Sequence, residues 1–412
     1  MTVALSKRAS DVRVIALISL AHGSSHFFHL ILPTMFPWLR DAFALNYAEL
    51  GLLMSIFFVV SCVAQAGSGF LVDRIGARPV LFTGIGLLIL AALIYSQSNG
   101  YFMLLVGAVI AGCGNGIFHP VDYTLINHKV SPPNLPYAYS MHGVTGYLGW
   151  AASPVFMVAI AQLMDWRIAF LAAALLEVIV LLMLWLNKSY LLDNVKERHE
   201  NTHASTQGTN PSGTPESVFA FLKLTSVWLC WIFFFFSMAT TSSLQSFAPS
   251  ALFGIYEIPL NVGSYFITLL ALGSAGGVLF GGYLAAKLRR APERIVSTSL
   301  SLTILMSFLL ASGWIAIELI PIVFFTIGFG YGVVGPSRDL LVKAATPQGV
   351  SGRVYGVVYS GIDLGAAVGP FIFGLFMDAG LPKALFLGIA FFQLMIIPTV
   401  FKVSSRAIPK AA

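Results

Sequence analysis

The chain has 412 residues, of which 57% are apolar and only 10% charged. Soluble domains carry roughly 25% charged residues, so this composition cannot clothe a water-facing surface, and it equally excludes disordered, collagen-like, coiled-coil and disulfide-framed chains. The net charge of +6 sits between apolar runs rather than along one face, which points to membrane topology and not to nucleic acid.

A helix needs about 20 mostly apolar residues to cross the hydrocarbon core. Residues 1–13 are too polar for a secretory leader, so the first apolar run reads as an anchor that stays in the chain. In chain order the windows that qualify are 14–38, 49–72, 79–97, 101–125, 137–163 and 168–187, then 225–253, 259–285, 294–315, 318–342, 351–377 and 383–402. The three cysteines, Cys62, Cys113 and Cys230, fall far apart inside these runs and read as small buried hydrophobes. With the N-terminus cytoplasmic, only Arg40, Arg167 and Lys383 of the 23 Lys and Arg residues fall in outer loops. That asymmetry places both termini inside and makes the number of spans even.

One long polar stretch, Asn187 to about Lys223, holds a Ser/Thr/Gly/Pro run and reads as a flexible linker. It divides the chain into 1–187, a linker over 188–223, and 224–412. An internal repeat agrees with this division. A shift of 216 lays Gly112, Gly114, Gly116 and Pro120 over Gly328, Gly330, Gly332 and Pro336, and Tyr139, Gly149, Ala151 and Pro154 over Tyr355, Gly365, Ala367 and Pro370. The expected fold is therefore all-α: twelve transmembrane helices in two six-helix pseudo-symmetric halves, with a site near the midplane between them.

The loop after the second span reads Gly69-Phe-Leu-Val-Asp73-Arg74-Ile-Gly76-Ala-Arg78. Gly69 suits close helix packing, Gly76 a tight turn, and Asp73 a helix N-terminus beside arginine. The sequence resembles the signature of the major facilitator superfamily, with Ala77 in a position that is usually basic. The resemblance implies that Gly69, Asp73, Arg74, Gly76 and Arg78 form a cytoplasmic latch between the halves. The second-half counterpart, Gly282 to Lys287, lacks the acid. Gly365, Gly369-Pro370 and Gly374 in span eleven, and Gly149 and Ser153-Pro154 in span five, look like the Gly-Pro motif of the superfamily's antiporters; plain helix packing is the other reading.

Histidine carries the most pointed chemistry. His22, His26 and His29 share one face of span one by their spacing of four and three. His119 lies in span four and His142 in span five. Histidine titrates near pH 6.5, which suits a proton carrier; structural, interfacial and metal-ligating roles stay open. Ser19-Leu-Ala-His22 and the Gly112 to Phe118-His119-Pro120 run resemble the fosmidomycin-resistance branch of the superfamily. The chain departs from that branch at His26 and Val121, where the branch carries acids.

Glu177 and Asp363 are acids near mid-span, and an ionisable group at that depth is a functional candidate. Proton-coupling or substrate candidates are thus His22, His26, His119, His142 and Asp363. Polar residues inside apolar runs, Gln65, Asn115, Thr241, Gln245 and Tyr359, are expected to line a cavity. Asp122 and Arg338 are equivalent under the 216 shift and could pair across the pseudo-symmetry axis as a gate, or each snorkel to the interface.

No nucleotide-binding Gly-Lys-Ser/Thr loop, hydrolase triad or metalloprotease pattern occurs, so neither an ATP-driven pump nor an enzyme is expected, and no cofactor or resident metal. The expected function is proton-coupled export of a small organic or drug-like solute by alternating access. Alternatives are proton-symport uptake of an organic anion, and a metal or metallophore carrier using the span-one histidines. The expected partners are the solute, protons and the lipid bilayer, without nucleic acid, and a monomer suffices. The expected place is a bacterial inner membrane, multi-pass, with both termini cytoplasmic.

Overall fold

The computed structural model describes residues 2–192, 223–287, 292–345 and 351–407, nearly all of them helical. Most of the expected linker, 193–222, lies outside the described residues. The first half holds α1 (Thr2–Thr34), the short α2 (Phe36–Phe43), α3 (Tyr47–Ile75), α4 (Ala77–Ser96), α5 (Tyr101–Asn115), α6 (Phe118–Lys129), α7 (Leu135–Leu163) and α8 (Trp166–Leu186). The second holds α9 (Thr225–Tyr256), α10 (Leu260–Lys287), α11 (Pro292–Ser312), α12 (Ile320–Ala345), α13 (Ser351–Asp378) and α14 (Pro382–Ala407). Twelve spans among the described residues are long and apolar enough to cross a membrane. Lipid offers the backbone no hydrogen-bond partner, so such runs must satisfy every amide internally, as helices do.

Two expected spans differ in detail. The first stops at Thr34, and the chain restarts as α2 with Pro37 in its first turn. Proline has no N–H to continue the ladder and disfavours helical geometry in the residue before it. The fourth span is interrupted between Asn115 and Phe118. Pro120 has no N–H to offer the Gly116 carbonyl, and the Ser68 hydroxyl donates to that oxygen instead at 3.2 Å.

The repeat seen in the sequence is a repeat of helix contacts. A Cβ on Gly149 would stand 2.1 Å from the Gly23 carbonyl oxygen, and one on Gly365 would stand 2.1 Å from that of Phe235. Gly116 meets the carbonyl of Ser61, and Gly332, 216 residues later, that of Ser274. Thus α7 lies on α1 as α13 lies on α9, and the α3 contact is repeated by α10 and α12. Only glycine permits these backbone approaches.

Between the halves, α3 and α13 run antiparallel. Gly374 meets Tyr47, Gly51 meets Pro370, and the Ser55 hydroxyl donates to the Ala367 carbonyl at 2.5 Å. Across the same boundary, Thr268 of α10 donates to the Ala151 carbonyl of α7 at 2.8 Å, and Phe36 packs on Phe247. At the far end of α3 a Cβ on Gly69 would meet no described atom within 4 Å, and the same holds for Gly282 in α10. Among the described residues the halves are joined at the Tyr47 end, and open space lies beside Gly69 and Gly282.

The first four amides of α3, which a helix leaves without partners of its own, all have acceptors. Asn46 and Glu49 form a reciprocal capping box. The Asp378 carboxylate, from the other half, accepts the Tyr47 N–H at 2.7 Å and the Ala48 N–H at 2.8 Å. Carboxylates favour helix N-termini, and loss of such a cap costs about 0.5–2 kcal/mol. Asp378→Ala is therefore expected to shift the balance at this end toward separation by roughly tenfold, read as a longer distance between spin labels on α2 and α14. An unchanged distance distribution would show that the carboxylate does not hold this end shut.

Candidate functional site

α1 and α7 lie in contact along matched faces. His22, His26 and His29 of α1 meet His142, Gly146 and Trp150 of α7, the latter spaced four and four. Gly146 makes room: a Cβ there would stand 2.8 Å from His26 Nδ1 and 3.2 Å from His22 Nε2. His22 stacks on His142 with centroids 3.4 Å apart, His26 lies 4.4 Å from His22 and 4.9 Å from His29, and His119 of α6 is 5.5 Å from His22. The three histidines of the span-one face, with His119 and His142 from two other spans, thus form one group.

The break before Phe118 starts α6 afresh, and its first turns bring Asp122 into the group, fully buried. Its Oδ2 stands 3.1 Å from both His22 Nδ1 and His142 Nε2. An ionised carboxylate only accepts, so each imidazole donates to it through that nitrogen. His22 and His142 are buried beside it, while His26, His29 and His119 are half-buried. A charge in such a place must be balanced locally, and one carboxylate balances one imidazolium. Asp122 Oδ1 and His26 Nδ1 make no hydrogen bond.

His29 belongs to a second, directed chain. An indole nitrogen can only donate, so Trp150 Nε1–H donates to His29 Nδ1, at 3.3 Å. The remaining ring nitrogen, Nε2, therefore carries the hydrogen and donates to Asn115 Oδ1 at 2.7 Å. Asn115 Nδ2 donates onward to the Ser61 hydroxyl at 2.8 Å. Four helices, α7, α1, α5 and α3, are joined in this way.

Trp150 also faces a central cavity of about 90 Å³. Across the cavity, α9, α10, α12 and α14 supply Thr241, Gln245, Ser274, Tyr331, Arg338 and Gln393, with Phe233 and Phe234 as an apolar wall. Gln393 donates to the Tyr331 hydroxyl at 2.5 Å. Trp150 thus separates the cavity from the buried carboxylate and its histidines.

Other sequence candidates fall elsewhere. Asp363 is half-buried where α13 meets α3, with Gln65 Nε2 3.5 Å away and Cys62 beside it. Neither Asp363 nor Gln65 lines the cavity. Tyr359 packs on Phe234 at 4.9 Å behind the cavity wall. Asp122 and Arg338 form no ion pair: α6 turns Asp122 toward α1 and α7 of its own half, and the Arg338 guanidinium lies 4.6 Å from the Phe234 ring. Glu177 is enclosed behind α1 with neither carboxyl oxygen hydrogen-bonded. Of the latch residues, Gly76 takes φ 90°, a conformation that favours glycine, and ends α3. Arg78 donates to the Lys188 carbonyl at 3.4 Å, Arg74 is exposed, and the Asp73 side chain lies outside the described residues. Trp150 and Gly146 escaped the sequence reading, although their spacing of four and four from His142 places them on its side of the helix.

Twelve spans around a midplane chamber define a secondary transporter of the membrane, not an enzyme. The family model described as Major Facilitator Superfamily matches residues 18–370, and the chain belongs to that superfamily. It is 25% identical to the "Fosmidomycin resistance protein" of Escherichia coli (strain K12), over 80% of this chain and 86% of the relative. It is 24% identical to the "Probable 4-methylmuconolactone transporter" of Cupriavidus pinatubonensis (strain JMP 134 / LMG 1197), over 81% and 77%. Among solved structures, a bacterial homologue of the human lysosomal transporter Spinster, inward-facing and occupied, superposes with a TM-score of 0.77 at 14% identity, over 96% of this chain and 97% of that one.

Removing the shared carboxylate leaves two buried imidazole donors unpaired, each costing about 1–3 kcal/mol. Asp122→Ala is expected to lower the melting temperature in detergent more than Asp122→Asn, which keeps an oxygen acceptor. Equal melting of both variants and the parent protein would show that the carboxylate does not hold the histidines.

Proposed function

We propose that this protein is a proton-coupled secondary transporter that exports a small organic or drug-like solute from a bacterial cytoplasm by alternating access. The observation that carries the reading is the Asp122 carboxylate shared by His22 and His142, one residue layer behind the Trp150 wall of the cavity. Imidazole and carboxylate are groups that take up and release protons, and one proton at a time is what Asp122 can balance. Trp150 touches both the cavity and the histidine group, so solute and proton have a common neighbour.

The charge asymmetry of the loops supports an inner membrane with both termini cytoplasmic. In that orientation the Tyr47–Asp378 end faces the periplasm and is joined, and Gly69 and Gly282 lie toward the cytoplasm with open space beside them among the described residues. The inward-facing state named for the Spinster homologue agrees with this arrangement. The two halves, 1–187 and 224–412, would rock about the cavity, with 188–223 as the tether. A monomer contains every residue that the cycle uses. The resistance relative supports export. Uptake of an organic anion by proton symport is the second reading, favoured by the presence of Arg338 in the cavity wall.

Expression in an efflux-deficient bacterium tests direction and coupling together. Export predicts a lower accumulation of fosmidomycin, reversed by an uncoupler and diminished roughly tenfold in Asp122→Asn. Raised accumulation would replace export with uptake. Accumulation that ignores both the uncoupler and Asp122 would remove proton coupling through this group.

A further inference from the structure

We infer that His22, Asp122 and His142 form a binding site for one divalent transition-metal ion such as Zn²⁺. Three helices, α1, α6 and α7, supply the donors. His22 Nδ1, His142 Nε2 and an Asp122 carboxylate oxygen lie within 4.8 Å of one another, and all three residues are buried. Each imidazole nitrogen stands 3.1 Å from the same oxygen, Oδ2. In a tetrahedral zinc site, bonds of about 2.0–2.1 Å place neighbouring donor atoms about 3.3 Å apart. The two hydrogen-bond distances thus match the spacing that a shared ion requires, and only the hydrogens between the donors have to leave. A neutral imidazole carries one hydrogen, which moves to its other ring nitrogen, so the ion enters without ionising either ring.

The donor set selects the ion. Two imidazoles and a carboxylate suit Zn²⁺, Co²⁺ and Ni²⁺, whereas Mg²⁺ and Ca²⁺ take mostly oxygen ligands. Three protein ligands leave a fourth position for water or a small anion, as in zinc sites that exchange a ligand there. Asp122 Oδ1 and His26 Nδ1 lie enclosed in the same group without a hydrogen bond. Buried polar atoms are nearly always bonded, and a bound ion is one of the few things that explains an exception. Among the described residues no Lys or Arg pairs with Asp122, so its charge remains for a cation to balance. No short spacing announces the site in sequence, because His22 and His142 lie 100 and 20 residues from Asp122. An ion held here also takes the oxygen that would balance a proton, a consequence that rests on the proton-coupled reading of this group.

The test is calorimetric titration of the full-length, tag-free protein in detergent with zinc chloride, and with magnesium chloride as the control. One Zn²⁺ per chain is expected to bind, and Mg²⁺ is not. His22→Gln and His142→Gln, whose amides can still donate to Asp122, are each expected to weaken zinc at least roughly tenfold. His128→Gln, at the exposed end of α6, is expected to change nothing. X-ray absorption at the zinc edge counts imidazole ligands in the parent protein without any variant, and two are expected. The inference is overturned if Zn²⁺ does not bind, if Mg²⁺ binds as tightly, or if both α1 and α7 variants bind zinc like the parent protein. Fewer than two imidazoles at the zinc edge, or loss of binding in His128→Gln, would overturn it equally. Fosmidomycin-driven proton flux in proteoliposomes separates this from the transport reading. Flux that saturating zinc leaves unchanged would remove the competition between ion and proton. Zinc binding without flux under any condition would remove the transport reading and leave the ion site standing.

Discussion

The seat of Gly149 against the Gly23 backbone sets how near α7 comes to α1, and the histidine group exists because of that distance. Side chains on helices that cross at ordinary separations reach past one another; here the approach is close enough for imidazoles to stack at 3.4 Å. Gly146 repeats the allowance one turn earlier, under His26 and His22. The same device recurs in the second half at Gly365, but the residues it brings together there are Phe235 and Ala239. Duplication preserved the packing and left the chemistry to one half.

That division gives the two halves different work. The first holds a carboxylate among five imidazoles, and the second supplies most of the chamber wall and its cation. Trp150 stands between them, facing the chamber with its ring and His29 with its N–H. A solute that draws the indole away would alter the hydrogen bonds of His29, Asn115 and Ser61 together, because each donates to the next.

Much of this was legible in the residues alone. Apolar runs fixed by the bilayer's thickness, charges sorted by side, and glycines repeated at 216 gave the fold, because each follows from a constraint that acts along the chain. The spacing of His22, His26 and His29 gave one face of the site for the same reason. What stayed hidden depends on which helices meet. His142 and Asp122 carry no mark in sequence that joins them to His22. Trp150 is one aromatic among many in apolar runs, and only its neighbours distinguish it. The break at Gly116–Ile117 follows from Pro120, yet proline is common in transmembrane helices and often only bends them. Gly69 shows the limit from the other side: its motif speaks of a packed state, whereas no described atom lies within 4 Å of where its Cβ would stand.

The capping of α3 by Asp378 has a consequence beyond holding the halves together. The Tyr47 and Ala48 amides are bonded to a carboxylate from the opposite half, so both bonds must break when the two halves part. Their hydrogens would exchange with deuterated solvent more readily in the parted form than in the joined one, since the Asn46–Glu49 box keeps the helix end wound in both. Two backbone amides thereby report the balance between the joined and parted forms, in a protein that carries no label and whatever solute it moves.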